Sequence, residues 1–261
     1  MDLLSAAAIQ DGLETNVIGR SLVYLPAVGS TNERARQLAR AGAPEGTLVI
    51  TDFQESGRGR LDRRWEAPPG SSLLLSLLFR PPLAPHEIQR LTMICGLAVL
   101  DAVQSETGLK VDLKWPNDVV VGGGKLAGIL TEIELMGEGV DFAVVGIGLN
   151  VNVDPAQLPG DLLVPATSLS HLLGHAVPRL PLLCTLLQSI EARYEMLKSG
   201  GSPHVEWAQR LAGLGQPVVV STTTSRLEGL AEGVNVDGAL LVRLHDGHLE
   251  TVLAGDVTLR R

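Results

Sequence analysis

Residues 111–153 read VDLKWPNDVVVGGGKLAGILTEIELMGEGVDFAVVGIGLNVNV. Four apolar runs follow in close succession: Val111–Trp115, Val119–Val121, Lys125–Leu135 and Val140–Val153. Their lengths and β-branched content predict strands. Gly122-Gly123-Gly124 parts the second run from the third and predicts a hairpin turn. Strands joined by so short a turn pair antiparallel. The middle of the chain is therefore predicted to be a mostly antiparallel sheet.

Upstream, Ser21–Leu25, Thr47–Phe53 and Ser72–Phe79 predict further strands, the last closed by Pro81-Pro82. Ser30 and Glu33 fit a capping box that opens an amphipathic helix running to Ala41. Apolar residues at helical spacing predict a second helix over Glu87–Glu106. Downstream, helices are predicted over Leu180–Lys198 and Ser202–Leu214. From Gln216 the composition shifts to short strands. Asp237-Gly238 and Asp246-Gly247 read as tight hairpin turns with both residues at positive φ. The predicted class is α+β, a mixed sheet flanked by helices in residues 1–213, followed by a small all-β barrel or sandwich in residues 214–261.

The chain has 261 residues and a net charge of −8, which argues against a general nucleic-acid binder. Its 45% apolar and 19% charged residues suit a globular protein. Cys95 and Cys184 stand alone, with no ligand or disulfide pattern around them. The longest uncharged stretch, Leu162–Pro178, holds two prolines and two histidines and makes no membrane span. The acidic N-terminus is no signal peptide. A cytoplasmic protein is the expectation.

Three segments carry chemistry. Gln54–Trp65 places Arg58, Arg60, Arg63 and Arg64 with Gly57 and Gly59 between apolar strands. Arginine forks bind carboxylate and phosphate, and glycines let the backbone approach an anion. A solvated loop is the plain alternative. Lys114-Trp115-Pro116-Asn117-Asp118 precedes Lys125-Leu126-Ala127-Gly128, with Lys114 and Lys125 on adjoining strands. Gly122-Gly123-Gly124-Lys125 is no P-loop, because Leu126 stands where Ser or Thr is needed. Gly146-Ile147-Gly148-Leu149-Asn150 lies inside a strand, where glycines mark a bulge or a close approach. None of the six histidines has a ligand spacing.

Ser30-Thr31-Asn32, GRGR with Trp65, KWPND with KLAG seven residues on, and GIGLNVN resemble the biotin protein ligases in order and spacing. The tail GVNVDGALLV…AGDVTLR resembles that family's C-terminal barrel. The resemblance implies a class II synthetase-like catalytic domain. It implies a reaction in two steps: biotin and ATP give biotinyl-5′-AMP, and a lysine of a biotin carboxyl carrier protein then takes the biotin. Matched by position, Ser30, Thr31, Asn32, Gln54, Gly128 and the Arg58 backbone hold biotin. Arg58, Gly59 and Arg60 wrap carboxylate and phosphate, and Lys125 bridges the two. Arg63, Trp65, Asn117 and Asn150 contact the nucleotide, Asn150 at adenine. Asp118 holds a metal or steers the incoming lysine. Magnesium accompanies ATP.

Two departures stand out. Leu61-Asp62 precede Arg63 where the family commonly has a further glycine; Asp62 tolerates the left-handed conformation less well than glycine and adds a negative charge near the anions, so loop closure or retention of the intermediate is expected to differ. Only about a dozen residues precede the matched region, so no DNA-binding role is expected. With few apolar anchors besides Leu61 and Trp65, the arginine segment is expected to order over biotin. A homodimer stays open. The alternatives are a lipoate or octanoate ligase, which shares the fold, and a non-catalytic biotin or nucleotide sensor.

Overall fold

The computed structural model describes residues 4–61, 63–158, 165–222 and 225–259. Its elements are α1 (Ala6–Gly12), β1 (Leu22–Leu25), α2 (Thr31–Arg40), β2 (Leu48–Thr51), β3 (Ser72–Phe79), α3 (Gln89–Thr107), β4 (Asp112–Lys114), β5 (Asp118–Val121), β6 (Gly124–Met136), β7 (Gly139–Asn150), α4 (Leu169–Leu173), α5 (Arg179–Lys198), α6 (His204–Arg210), β8 (Pro217–Ser221), β9 (Arg226–Val234), β10 (Leu240–Leu244), β11 (Leu249–Val252) and β12 (Asp256–Leu259).

Seven strands form one sheet in the order β1-β2-β3-β7-β6-β5-β4. Only β1 and β2 pair in parallel, with α2 as the crossover between them. The alternation along β7 sorts the faces. Ala143, Val145, Ile147 and Leu149 join the main core, which α3 and α5 cover. Val144, Gly146, Gly148 and Asn150 point to the opposite face. There Val144 packs with Ala35 and Ala39 of α2, and the glycines leave open floor. The helix α3 is buried on nearly every side, as its uninterrupted apolar sequence requires.

Several local expectations are corrected. Ser30 is the N-cap of α2, but its side chain makes no capping bond. The Gln54 Oε1 takes the Thr31 N–H instead, at 2.8 Å. Lys114 and Lys125 are not on adjoining strands, since β5 runs between β4 and β6. β7 stops at Asn150, because the Asn152 side chain turns to pair with the Val177 backbone at 3.0 and 2.9 Å. α6 stops at Arg210, because the Ala212 N–H donates to Leu113 O at the edge of the sheet. α1 and α4 escape the periodicity. Each is a turn or two long and is held by a serine cap, Ser5 and Ser168.

The C-terminal strands form a second sheet, ordered β11-β10-β9-β8-β12, antiparallel throughout. Its two Asp-Gly turns differ from the expected form. Only Gly238 and Gly247 take positive φ, 83° and 87°. Each closes a turn from Asn235 or Leu244, and the following residue's carbonyl accepts back from Asn235 or Leu244. This is a type I turn followed by a left-handed glycine, so the loops are one residue longer than the two-residue kind. Among the described residues no helix is long and apolar enough to cross a membrane.

Candidate active site

The floor of the site is the open face of β6 and β7. Gly128 and Gly148 are cross-strand partners there. A Cβ at Gly148 would lie 2.5 Å from Trp65 Cε2, and one at Gly128 would lie 2.9 Å from Trp65 Cζ3. Both positions must therefore be bare for the indole to lie on the sheet. Gly146 does the same for α2, since a methyl there would collide with Asn32 Oδ1.

Lys125 and Gly128 are three residues apart, which in a regular strand places them on opposite faces. The β5–β6 register shifts between Val119, opposite Ala127, and Val120, opposite Lys125. The extra residue, Leu126, is a bulge of the kind that re-aims a side chain. Lys125 Cε consequently lies 3.1 Å from the place of a Gly128 Cβ. Its ammonium pairs with Asp118 Oδ1 at 2.7 Å and sits 5.5 Å from the centroid of the Trp65 ring.

The N-terminus of α2 forms the second wall. Gln54 Oε1 accepts from both Thr31 N and Thr31 Oγ1, which leaves the Gln54 amide nitrogen as a donor. Asn32 is spoken for: Nδ2 donates to Glu132 Oε2 (2.8 Å) and Leu130 O (3.2 Å), and Oδ1 accepts from Ser76 Oγ (2.6 Å). Its polar atoms tie α2 to the sheet.

The glycine-arginine segment folds back on itself. Gly59 N–H donates to Arg63 O at 2.7 Å, and Trp65 N–H to Gly57 O at 3.0 Å. Leu61 has a φ of 54°, the one positive φ outside glycine among the described residues. Asp62, read from the sequence as a poorer host for that conformation than glycine, lies outside them. Three arginines of the segment that line the pocket, Arg58, Arg60 and Arg63, have side-chain partners. Arg58 pairs with Glu132 at 3.2 Å. Arg60 donates to Asn117 Oδ1 (3.2 Å) and Gly255 O (3.3 Å). Arg63 pairs with Asp256 of β12. Burial lowers the pKa of Arg60, opposed by Asp256 and Asp118; a guanidinium so placed still keeps its charge. Asn150 donates from Nδ2 to Thr167 O at 3.0 Å, and its buried Oδ1 has no partner among the described residues.

One cavity of about 610 Å³ brings these groups together. It takes in Ser30, Thr31, Asn32, Gln54, Arg58, Gly59, Arg60, Arg63, Trp65, Asn117, Asp118, Lys125, Gly128 and Asn150, every residue singled out from the sequence. It is neutral and hydroxyl- or amide-lined at Ser30, Thr31 and Gln54, and charged around Arg60, Asp118 and Lys125. Its size suits a small-molecule site. Sequence reasoning missed the contribution of the C-terminal sheet through Asp256, Val257 and Thr258. It also missed Glu132, whose only signal is a carboxylate in step with Gly128 and Leu130 on one face of β6.

Residues 24–150 match the biotin/lipoate A/B protein ligase family, and residues 213–260 match the biotin protein ligase C-terminal domain. The chain is 34% identical over 258 residues to a bifunctional ligase/repressor of Bacillus subtilis, covering 98% of this chain and 79% of that protein. It is 35% identical over 221 residues to a biotin–[acetyl-CoA-carboxylase] ligase of Paracoccus denitrificans, covering 82% and 90% of the two chains. The structure resembles the biotin protein ligase of Aquifex aeolicus in complex with biotin and ATP, with a TM-score of 0.77, 30% identity and coverage of 93% and 99%.

Proposed function

The chain belongs to the biotin protein ligase family, and from that premise we propose that it activates biotin with ATP and transfers it to a lysine of a biotin carboxyl carrier protein. The observation that carries this reading is the two-ended cavity. Its neutral end offers Ser30, Thr31 and the Gln54 amide, which match a ureido group that both donates and accepts. Its charged end offers Arg60 and Lys125, which match two anions that repel each other in water.

In the first step a biotin carboxylate oxygen attacks the α-phosphorus of ATP, and the bond to pyrophosphate breaks. Lys125 bridges the carboxylate and the α-phosphate and balances the charge that grows between them. Asp118 holds Lys125 in place until the anions arrive. Arg60 and Arg63 face the phosphates from the glycine-arginine segment, while the Arg58 and Gly59 backbone closes over biotin. Asn117 and Trp65 wall the nucleotide, Gly128 floors the acyl chain, and Asn150 Oδ1 accepts from the adenine amine. In the second step the acceptor's lysine nitrogen attacks the acyl carbon, the bond to AMP oxygen breaks, and a proton leaves the nitrogen.

Magnesium arrives with ATP. Among the described residues no cluster of three or more His, Cys, Asp or Glu side chains could hold an ion. One carboxylate with substrate phosphates is an ordinary magnesium environment, and Asp118, beside Lys125, is a pocket carboxylate that would supply it. We further read residues 1–213 as the catalytic domain and 214–261 as the C-terminal domain, with work in the cytoplasm.

The test is incubation with magnesium, biotin and ATP labelled at the α-phosphate. Labelled biotinyl-adenylate supports the reading. Adenylate formed with lipoate instead would move the substrate to the lipoate class and remove the roles of Ser30, Thr31 and Gln54. Biotin binding without any adenylate would leave a sensor.

A further inference from the structure

Arg58 differs from its neighbours in where its charge goes. Arg60 and Arg63 reach the C-terminal strand, at Gly255 O and Asp256. Arg58 reaches the other way, to Glu132 in β6. Glu132 lies four residues beyond Gly128, about 13 Å along the strand, so this guanidinium is remote from the Lys125 end of the cavity.

Glu132 is itself unusual. Its side chain is only 18% exposed, on the strand face it shares with Gly128, Leu130 and Glu134. A carboxylate placed there is costly unless paired. Its Oε2 is taken by Asn32 and its Oε1 by Arg58, with Arg36 3.7 Å away. The same carboxylate thus touches the helix that carries Ser30 and Thr31 and the segment that covers them. The segment is pinned at two ends, by Arg58 to β6 and by Arg60 and Arg63 to β12.

We propose that Glu132 is a positioning residue: through Arg58 it staples the glycine-arginine segment over bound biotin and its adenylate. It touches no reacting atom. Its effect is on how long the segment stays closed, and therefore on ligand retention rather than on the adenylation step. The inference rests on the ligase reading above.

The experiment is a double-variant cycle of Glu132→Gln, Arg58→Gln and the pair together. Wild-type synthesis of biotinyl-adenylate comes first, since its absence overturns the ligase reading and not the staple alone. With it present, each single variant is expected to raise the biotin KM and speed adenylate loss about three- to tenfold, and E132Q, which touches no substrate, is expected to keep the adenylation kcat within about twofold. The pair should lose no more than either single variant. Salt should speed adenylate loss more in the wild type than in E132Q, because the Arg58–Glu132 link is partly exposed and ionic while the Arg63–Asp256 pair is common to both. A merely structural role for Glu132 would lower stability without this split or this salt response. Effects that multiply in the pair, or wild-type adenylate retention by E132Q, overturn the staple. Should E132Q fail to fold, R58Q decides alone, because that side chain is 46% exposed; wild-type retention by R58Q is then the overturning result.

Discussion

At the scale of single residues, the site depends as much on missing side chains as on present ones. Gly146 and Gly148 alternate with Ile147 and Leu149 so that one face is core and the other is floor. Gly146→Ala pushes a methyl into Asn32 Oδ1, and the Asn32 side chain holds three partners in place at the head of α2. We expect that change to cost roughly 1–3 kcal/mol in urea unfolding; a wild-type midpoint would show that α2 tolerates the shift. Lys125→Ala removes the one ammonium that the bulge turns into the cavity. Adenylate formation should fall roughly 10²–10³-fold, the scale of losing a preorganised charge donor. Pyrophosphate release near the wild-type rate would remove Lys125 from that role. The identity of these residues was legible because motifs are local. Their pairing was not. Nothing in KWPND and KLAG says that Lys125 meets Asp118, since a bulge at Leu126 decides it, and bulges leave no reliable trace in alternation. Glu132 lies outside the motifs and Asp256 lies in the tail motif far along the chain, so only folding brings them to Arg58 and Arg63.

At the scale of elements, the long strands and helices were legible because burial imposes a period on them. The elements that escaped, α1 and α4, are too short to show one. The cap of α2 was misread because the donor groups of a helix end accept any nearby oxygen, and Gln54 outcompetes Ser30 from 24 residues away in sequence. That exchange matters for the site, since it ties the arginine segment's first residue to the helix that faces biotin. Among its described residues, 57–65 is held by three backbone bonds within the segment, plus the arginine pairs. Its turn places Leu61 at positive φ, a conformation that costs a non-glycine residue roughly 1–2 kcal/mol. Weakly held, partly strained segments exchange their amides readily. Hydrogen exchange over residues 57–65 should slow when biotin binds and slow further with the adenylate. Exchange unchanged by either ligand would mean that the segment is closed beforehand.

At the scale of the whole molecule, remote parts of the chain are tied by charge. Glu191 of α5 accepts from the backbone N–H groups of Asn16, Val17 and Ile18 at 2.7, 2.8 and 2.8 Å. Burial raises its pKa, but these bonds win and lower it overall. A carboxylate with a depressed folded pKa stabilises above its unfolded pKa of about 4.3, and the contribution is lost as pH falls through the folded value. Glu191→Gln should therefore cost about 1–3 kcal/mol at neutral pH, and the gap to wild type should close below about pH 4. A gap independent of pH would assign the loss to packing. Larger still is the join between the two sheets. Units joined by a small polar interface move and melt separately, whereas a shared apolar core makes them one. Here Val218, Val220, Leu240, Val242 and Val252 of the second sheet belong to the same buried cluster as Leu48, Leu75 and Ile147 of the first. Polar ties cross as well: Trp115 Nε1 donates to Gly238 O at 2.9 Å, and Arg90 pairs with Asp237 at 2.7 Å. A methyl at Gly238 would press on Gln89 and Met93, so this hairpin tip is shaped to its seat on α3. Two domains in the sequence should then behave as one in solution. Urea unfolding followed by tryptophan fluorescence and by far-ultraviolet circular dichroism should give one coincident transition. An early transition confined to β signal would show that the C-terminal sheet leaves first, and with it the anchors of Arg60 and Arg63.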